Sequence, residues 1–484
     1  MSSEEVSLSN RPLVVDMDGT LIYTDLLHES ALRLLREKPL KVCMLPIKLG
    51  EGKARLKQYL AQNTELMPET LPYNQQLLQW LREERDKGRR LILCTASNQK
   101  FAHQVAEFLD LFDEVIASDA STNVKGKNKA QVLCDRFGPG EFDYAGDSFA
   151  DLPVWECAGQ AIVVNATASL ESEVSDRCTI ARVFIRPSLN AVDWLRALRV
   201  QQWLKNLLLF APILAAHRVT DTESWWLLAL AFFSFSLVAS ATYLVNDLLD
   251  LESDRQHPRK QYRPLAAGLM SMPTAFLLAG GLLALGVALA FAINGAYLFC
   301  LLIYLLVTAC YSWFLKRFAL LDCIALAVLY TLRIIAGAAA INMGLSFWLL
   351  AFSAFLFMSL ALVKRYAELE VQLLEGRDKA HGRGYLISDA PLLQTLGVSS
   401  GFVAVLVLSL YLNSDEVLVL YATPEIVWGA VLVLLYWISW MWMQAHRGLM
   451  HDDPLVFAIK ERTSLLAGGL FLGILLLGTV QTPW

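Results

Sequence analysis

Asp247, Asp250 and Asp254 stand at i, i+3 and i+7 where a long apolar run ends, with Asn246 beside the first of them. On a helix this spacing keeps three carboxylates within roughly 60° of one another. Like charges that close call for a cation among them. A hard dication such as magnesium, which keeps waters and shares itself with substrate phosphates, suits oxygen ligands at a membrane edge. The stretch therefore reads as a diphosphate clamp, the plain alternative being a juxtamembrane helix end with solvated acids. Segment 255–264 speaks against that alternative, because Arg255, Arg259, Lys260 and Arg263 are the cations a phosphate requires.

A second acidic set lies near the N-terminus. Pro12-Leu13-Val14-Val15-Asp16 is a short apolar run ending on an acid, the pattern of a buried parallel strand whose carboxyl end delivers a side chain to a site. Asp18 follows two residues on. Runs 90–94, 114–117 and 142–145 look alike and lead into Thr95, Asp119 and the group Gly146-Asp147-Ser148, with Asp151 just beyond. Strands alternating with helical stretches argue for a doubly wound α/β sheet. Residues 24–86 are helix-like, with Leu26, Leu32, Leu34 and Leu35, then Leu56, Leu60 and Leu66, and read as a small helical cap that gates substrate size.

D-x-D-G-T from Asp16, then Thr95, then a lysine, then G-D-S-x-x-D from Gly146 resemble, in that order, the four motifs of the haloacid dehalogenase superfamily of phosphotransferases. The resemblance implies that Asp16 attacks phosphorus while Asp18 protonates the leaving alcohol and later activates water. It also implies that Thr95 and a lysine hold the phosphoryl oxygens, and that Asp147 and Asp151 share a magnesium ion with Asp16. Lys125, Lys127 and Lys129 all lie near enough; Lys129 is preferred because it opens a helical stretch. A single acid of this kind is more often a helix cap or a surface charge, and the ordered set of four is what outweighs that reading.

With 484 residues, 55% of them hydrophobic and only 18% charged, the chain has the composition of a membrane protein. The apolar residues are uneven. Residues 1–190 read as a soluble domain, and 191–484 are almost continuously apolar. About nine runs long enough to span a bilayer fall near 204–217, 225–246, 273–293, 295–314, 319–341, 346–363, 392–412, 424–443 and 464–481. Basic residues cluster after alternate runs (Arg255 to Arg263; Lys316 and Arg317; Lys364, Arg365, Arg377, Lys379 and Arg383; Arg447, Lys460 and Arg462). The positive-inside rule places those loops and the N-terminal domain in the cytoplasm, in what reads as a bacterial inner membrane. The net charge of −5 does not favour nucleic acid as a partner. The eight cysteines are scattered, without C-x-x-C pairs, and read as reduced packing residues.

N-D-x-x-D-x-x-x-D from Asn246, closed by Arg263-Pro264-Leu265, resembles the first Asp-rich motif of the UbiA-type membrane prenyltransferases. Several further positions match that pattern. Lys205, in Arg199-Val200-Gln201-Gln202-Trp203-Leu204-Lys205-Asn206, would meet a diphosphate, and Tyr311, Lys316 and Arg333 are polar groups in costly places that are expected to face a cavity. Snorkelling of Arg333 and interfacial anchoring of Tyr311 are the plain alternatives. The second motif departs from the pattern: Lys364-Arg365-Tyr366 stands where ordinary aromatic prenyltransferases carry a second acid pair. Cations in place of acids exchange metal binding for anion binding, which fits two phosphorylated substrates.

That substitution, with His257-Pro258-Arg259-Lys260, looks like the decaprenyl-phosphate phosphoribosyltransferase branch. The resemblance implies magnesium-dependent transfer of 5-phosphoribose from phosphoribosyl diphosphate to a polyprenyl phosphate, with one magnesium in each domain; two phosphate-handling sites on one side of the bilayer lead to the expectation that the phosphatase domain acts on the 5-phosphate of the product. The alternatives are an aromatic prenyltransferase using polyprenyl diphosphate and, in another class, a lipid-binding or transport protein with a regulatory phosphatase-like domain.

Overall fold

The structure is a computed structural model that describes residues 11–119, 123–165, 167–374, 384–414, 421–450 and 453–479. It divides into two compact units, Met1–Ala197 with Leu244–Leu277, and Leu198–Tyr243 with Leu278–Trp484. The Asp-rich segment thus groups with the residues that read as a soluble domain.

In the first unit, β1 (Leu13–Val15), β2 (Leu91–Asn98), β3 (Glu114–Ser118), β4 (Asp143–Gly146), β5 (Ala161–Val164) and β6 (Ile180–Phe184) form one sheet in the order β3-β2-β1-β4-β5-β6. All pairings are parallel. β1 is wholly buried because both faces of the sheet are covered: Leu13 and Val15 pack on one side, Val14 on the other. Strand order reverses at β1, so Asp16 emerges at the switch point where α/β sheets present ligands. β5 and β6 were not expected from the sequence.

Between β1 and β2, the helices Leu26–Glu37 and Lys53–Asn63 close on their own small cluster of Leu34, Leu56 and Leu60. That is the cap. Asp25 caps the first of them, its carboxylate accepting from the Leu27 amide at 2.8 Å. The helix Gln75–Asp86, expected in the cap, buries Leu77, Leu78 and Leu81 against the sheet instead. The cap is correspondingly shorter than residues 24–86.

The second unit is helical. Eight helices of the described residues are long and apolar enough to cross a membrane, starting with Thr222–Leu249 and ending with Arg462–Thr479. The first expected span is absent from that set. Residues Val200–Phe210 form a 3-10 helix and Ala211–Ala215 a short α-helix, and Pro212 with the polar pair Lys205-Asn206 breaks the apolar run. Close packing rests on small residues. Gly337, in the helix Leu321–Ala340, lies so close to the Leu209 carbonyl that any Cβ there would collide with backbone. Gly337→Ala is expected to lower stability by about 1–3 kcal/mol, as for other overpacked sites, read as a fall in melting temperature of the detergent-solubilised protein. The segment His381-Gly382-Arg383, with Arg377 and Lys379, lies outside the described residues.

Candidate active sites

Asp16 follows β1, its amide donating to the Ala145 carbonyl at 2.9 Å, and the Met17 amide orients its carboxylate at 2.8 Å. Asp147 and Asp151 follow β4. Each of the three offers an oxygen, and these oxygens lie within 4.8 Å of one another, which fits a dication with oxygen ligands. Burial and the crowding of acids push Asp147 up to about 8, the strain a cation would relieve. Gly19 has φ +78°, and a Cβ there would clash with the Asp147 carboxylate, so the turn after β1 tolerates no side chain.

Of the three candidate lysines, Lys129 is the one held against the nucleophile. Its Nζ lies 2.8 Å from Asp16 and donates to the Tyr144 hydroxyl at 2.8 Å, and that hydroxyl donates to Asp151 at 3.0 Å. Burial opposes the ammonium charge, but Asp16 and Asp151 outweigh it and hold Lys129 above its usual range. Thr95 is fully buried within β2 and accepts from the Ser97 amide at 3.0 Å.

Asp18 accepts from the Leu26 amide at 2.9 Å, at the start of the first cap helix, and from the Ser97 hydroxyl at 2.5 Å. Burial, then the nearby Asp25 carboxylate, pushes its carboxyl up to about 7, so the acid is poised to give and take a proton near neutrality. Ser97 and Lys57 were missed by the sequence reading. Lys57, on the cap helix Lys53–Asn63, donates to the Ala96 carbonyl at 2.5 Å and lines the pocket above Asp16. Its position about one turn into the helix Lys53–Asn63 gives no motif to find it by.

In the Asp-rich segment, Asp247 closes the helix Thr222–Leu249, Asp250 begins the next, Leu251–Gln256, and Asp254 lies within it. Asn246 is half-buried beside Asp247. Asp247 and Asp254 are buried and converge on one cation, Arg263, which lies 3.0 Å from Asp247 and also pairs with Asp254. Lys260 stands 3.7 Å from Asp254. The oxygens of Asp247, Asp250 and Asp254 do not converge as the N-terminal trio does; the guanidinium holds the cation position between the first and third. Arg255, expected beside them, turns elsewhere and pairs with Glu29 of the cap at 2.7 Å.

The second unit separates residues that the sequence grouped. Lys364 reaches Asp453 at 3.1 Å, and Lys205 reaches the same carboxylate at 2.7 Å, with the Tyr330 hydroxyl donating to it at 3.0 Å. Arg365 does not join them. Its buried guanidinium binds Asp322 at 2.5 Å, Glu368 at 2.6 Å and the Tyr311 hydroxyl at 3.0 Å, while Tyr385 also donates to Asp322. Arg365 and Tyr311 are therefore members of one network with Asp322 and Glu368, and Tyr366 is buried with its hydroxyl 2.8 Å from His446 Nδ1. Arg333 does not snorkel: 4% exposed, it donates to Asn206 at 3.0 Å and lies over the rings of Phe235, Tyr304 and Tyr330. Lys316 is half-buried in the turn Leu315–Arg317.

Asp453 was not foreseen. Burial works to raise its pKa, but Lys205 and Lys364 outweigh that and hold it below the carboxylate range. A depressed pKa contributes stability above the ordinary carboxylate range that is lost as pH falls through the folded value. Asp453→Ala leaves two cations facing each other and is expected to cost about 3–5 kcal/mol, checked by thermal unfolding at neutral pH.

A profile of the UbiA prenyltransferase family matches residues 207–460. The chain belongs to that family. The UbiA domain is preceded by a second match, to haloacid dehalogenase-like hydrolases, over residues 13–156. The uncharacterized protein y4nM of Sinorhizobium fredii is 37% identical over 461 residues, spanning 95% of this chain and 89% of that one. Nodulation protein NoeC of Azorhizobium caulinodans is 38% identical over 59% of this chain and 93% of its own. Decaprenyl-phosphate phosphoribosyltransferase of Corynebacterium glutamicum is 38% identical over 43% of this chain and 63% of that enzyme. The protein is thus an integral membrane enzyme, a UbiA-type transferase with a haloacid dehalogenase-like phosphatase domain.

Proposed function

We propose that the UbiA domain transfers 5-phosphoribose from phosphoribosyl diphosphate to a polyprenyl phosphate, releasing diphosphate, and that the phosphatase domain removes the 5-phosphate. The supporting observation is that Lys364, which stands where an aromatic prenyltransferase would carry a second acid pair, meets Lys205 on a single carboxylate, Asp453. Two ammonium groups on one carboxylate leave a net positive charge, suited to a phosphate and not to a metal. The relatives named for decaprenyl-phosphate phosphoribosyl transfer support the same donor.

Asp247, Asp250 and Asp254 would hold magnesium once Arg263 is displaced from between them, and the ion would neutralise the leaving diphosphate. Arg263 keeps Asp247 and Asp254 together and is free of neither until a stronger cation or a phosphate competes for it. The polyprenyl phosphate oxygen attacks the anomeric carbon as the bond to diphosphate breaks, and Lys205 and Lys364 supply positive charge for a phosphate.

In the phosphatase, Asp16 attacks phosphorus, the bond to the C5 oxygen breaks, and Asp18 gives the leaving alkoxide its proton. Water then attacks the aspartyl phosphate, Asp18 takes its proton, and phosphate leaves. Lys129 and Thr95 hold the phosphoryl oxygens. The alternation of basic loops supports a bacterial inner membrane with both sites on the cytoplasmic side. The test offers purified protein two labelled donors, phosphoribosyl diphosphate with polyprenyl phosphate, and polyprenyl diphosphate with an aromatic acceptor. Label in lipid from the first supports the proposal; transfer from the second alone refutes it.

A further inference from the structure

The cavity above Asp16 has a volume of about 510 Å³ and two unlike sides. One carries the reacting acids Asp16 and Asp18. The other is built by the Asp-rich segment and its continuation: Arg255, Leu265, Met270 and Met272. Met272 opens the helix Met272–Ile293, so the pocket lining includes the first residue of a helix that is apolar and long enough to cross a membrane.

Arg255 is only 6% exposed at its side chain. Its Nη2 donates to Glu29 at 2.7 Å and its Nε to the Ala266 carbonyl at 3.1 Å, whereas Nη1 is buried without a partner. A buried guanidinium N–H left unpaired costs free energy, and an anionic oxygen is the group that recovers it. Lys53 and Lys57 line the same cavity from the cap, so cations flank the pocket beyond the catalytic Lys129. A simple sugar phosphate, with one anionic group for Asp16 and Lys129 to engage, leaves Arg255 and the apolar wall unused.

We infer that the phosphatase takes a phosphomonoester joined to a membrane lipid through a second phosphate, and that Arg255 reads that second phosphate in its diester linkage. The inference rests on the phosphatase reading above and names its substrate class. The monoester seats at Asp16, the diester at Arg255, and the first apolar carbons of the lipid along Met270 and Met272. Hydrolysis breaks the monoester P–O bond, water supplying the hydroxyl to phosphate and the proton to the sugar oxygen. The diester stays intact, so the lipid leaves with its sugar.

The experiment supplies full-length protein in nanodiscs with synthetic farnesyl-phosphoryl-ribose 5-phosphate, ribose 1,5-bisphosphate or ribose 5-phosphate, and measures phosphate released. No transferase step is needed. Wild type is expected to prefer the lipid over ribose 5-phosphate by at least tenfold in kcat/KM, and Arg255→Gln to reduce that ratio tenfold through KM, with Arg255→Lys recovering part of it. An equal loss on lipid and ribose 5-phosphate, as a merely structural role would give, overturns the role of Arg255. Equal use of the lipid and ribose 1,5-bisphosphate overturns the membrane tether. Hydrolysis of ribose 5-phosphate without any preference overturns the inference alone, while hydrolysis of none of the three overturns the phosphatase reading beneath it.

Discussion

Asp247→Asn is expected to reduce lipid-linked product formation by about 10²–10³-fold or more, the loss typical of removing one preorganised electrostatic group from a charge-developing step. The substitution keeps shape and removes one negative charge. Arg263 still has Asp254 to pair with, so the segment keeps its ion pair and the melting temperature should change little. With fewer anionic ligands, the magnesium dependence of the remaining rate should move to higher concentration. Product formation measured across a magnesium titration, with melting temperature as the control, checks both effects. An unchanged rate with the fold preserved would overturn the role of Asp247 in the diphosphate clamp.

Asp16→Asn should reduce phosphate release by about 10⁴-fold or more, because the amide removes the nucleophile itself and not a group that assists it. Lys129 would lose its 2.8 Å partner but keep the Tyr144 hydroxyl and Asp151, so the pocket should stay folded. The variant still transfers, and the lipid that accumulates should carry pentose 5-phosphate. A dephosphorylated product from this variant would separate the two activities and refute their coupling.

The phosphatase site was legible because its motifs tie particular residue types to the ends of successive strands. Asp16, Asp147 and Asp151 lie together with Asp18 in the same pocket, and of the three candidate lysines Lys129 is the one that contacts Asp16. Less legible were β5 and β6, since Ala161–Val164 is too short an apolar run to distinguish from helix, and β6 carries exposed Ala181 and Arg182. Lys364 and Arg365 read as one cationic pair, but adjacent helical residues point about 100° apart. One therefore meets Asp453 and the other Asp322. Asp453 itself looks like an ordinary cap before Pro454, and it does accept from the Leu455 amide; only long-range packing gives it two lysines as well. Arg255 was misplaced for a similar reason: proximity in sequence to Asp254 suggested a shared ligand, whereas its side chain belongs to the cap.

One chain is expected both to attach a sugar phosphate to a lipid phosphate and to trim it, which is read from the mass of the lipid formed by the purified full-length protein from polyprenyl phosphate, phosphoribosyl diphosphate and magnesium. The expected product is the polyprenyl phosphate carrying one pentose without its 5-phosphate, with diphosphate and phosphate released in equal amounts. A lipid that gains no pentose, in wild type and in Asp16→Asn alike, would contradict it.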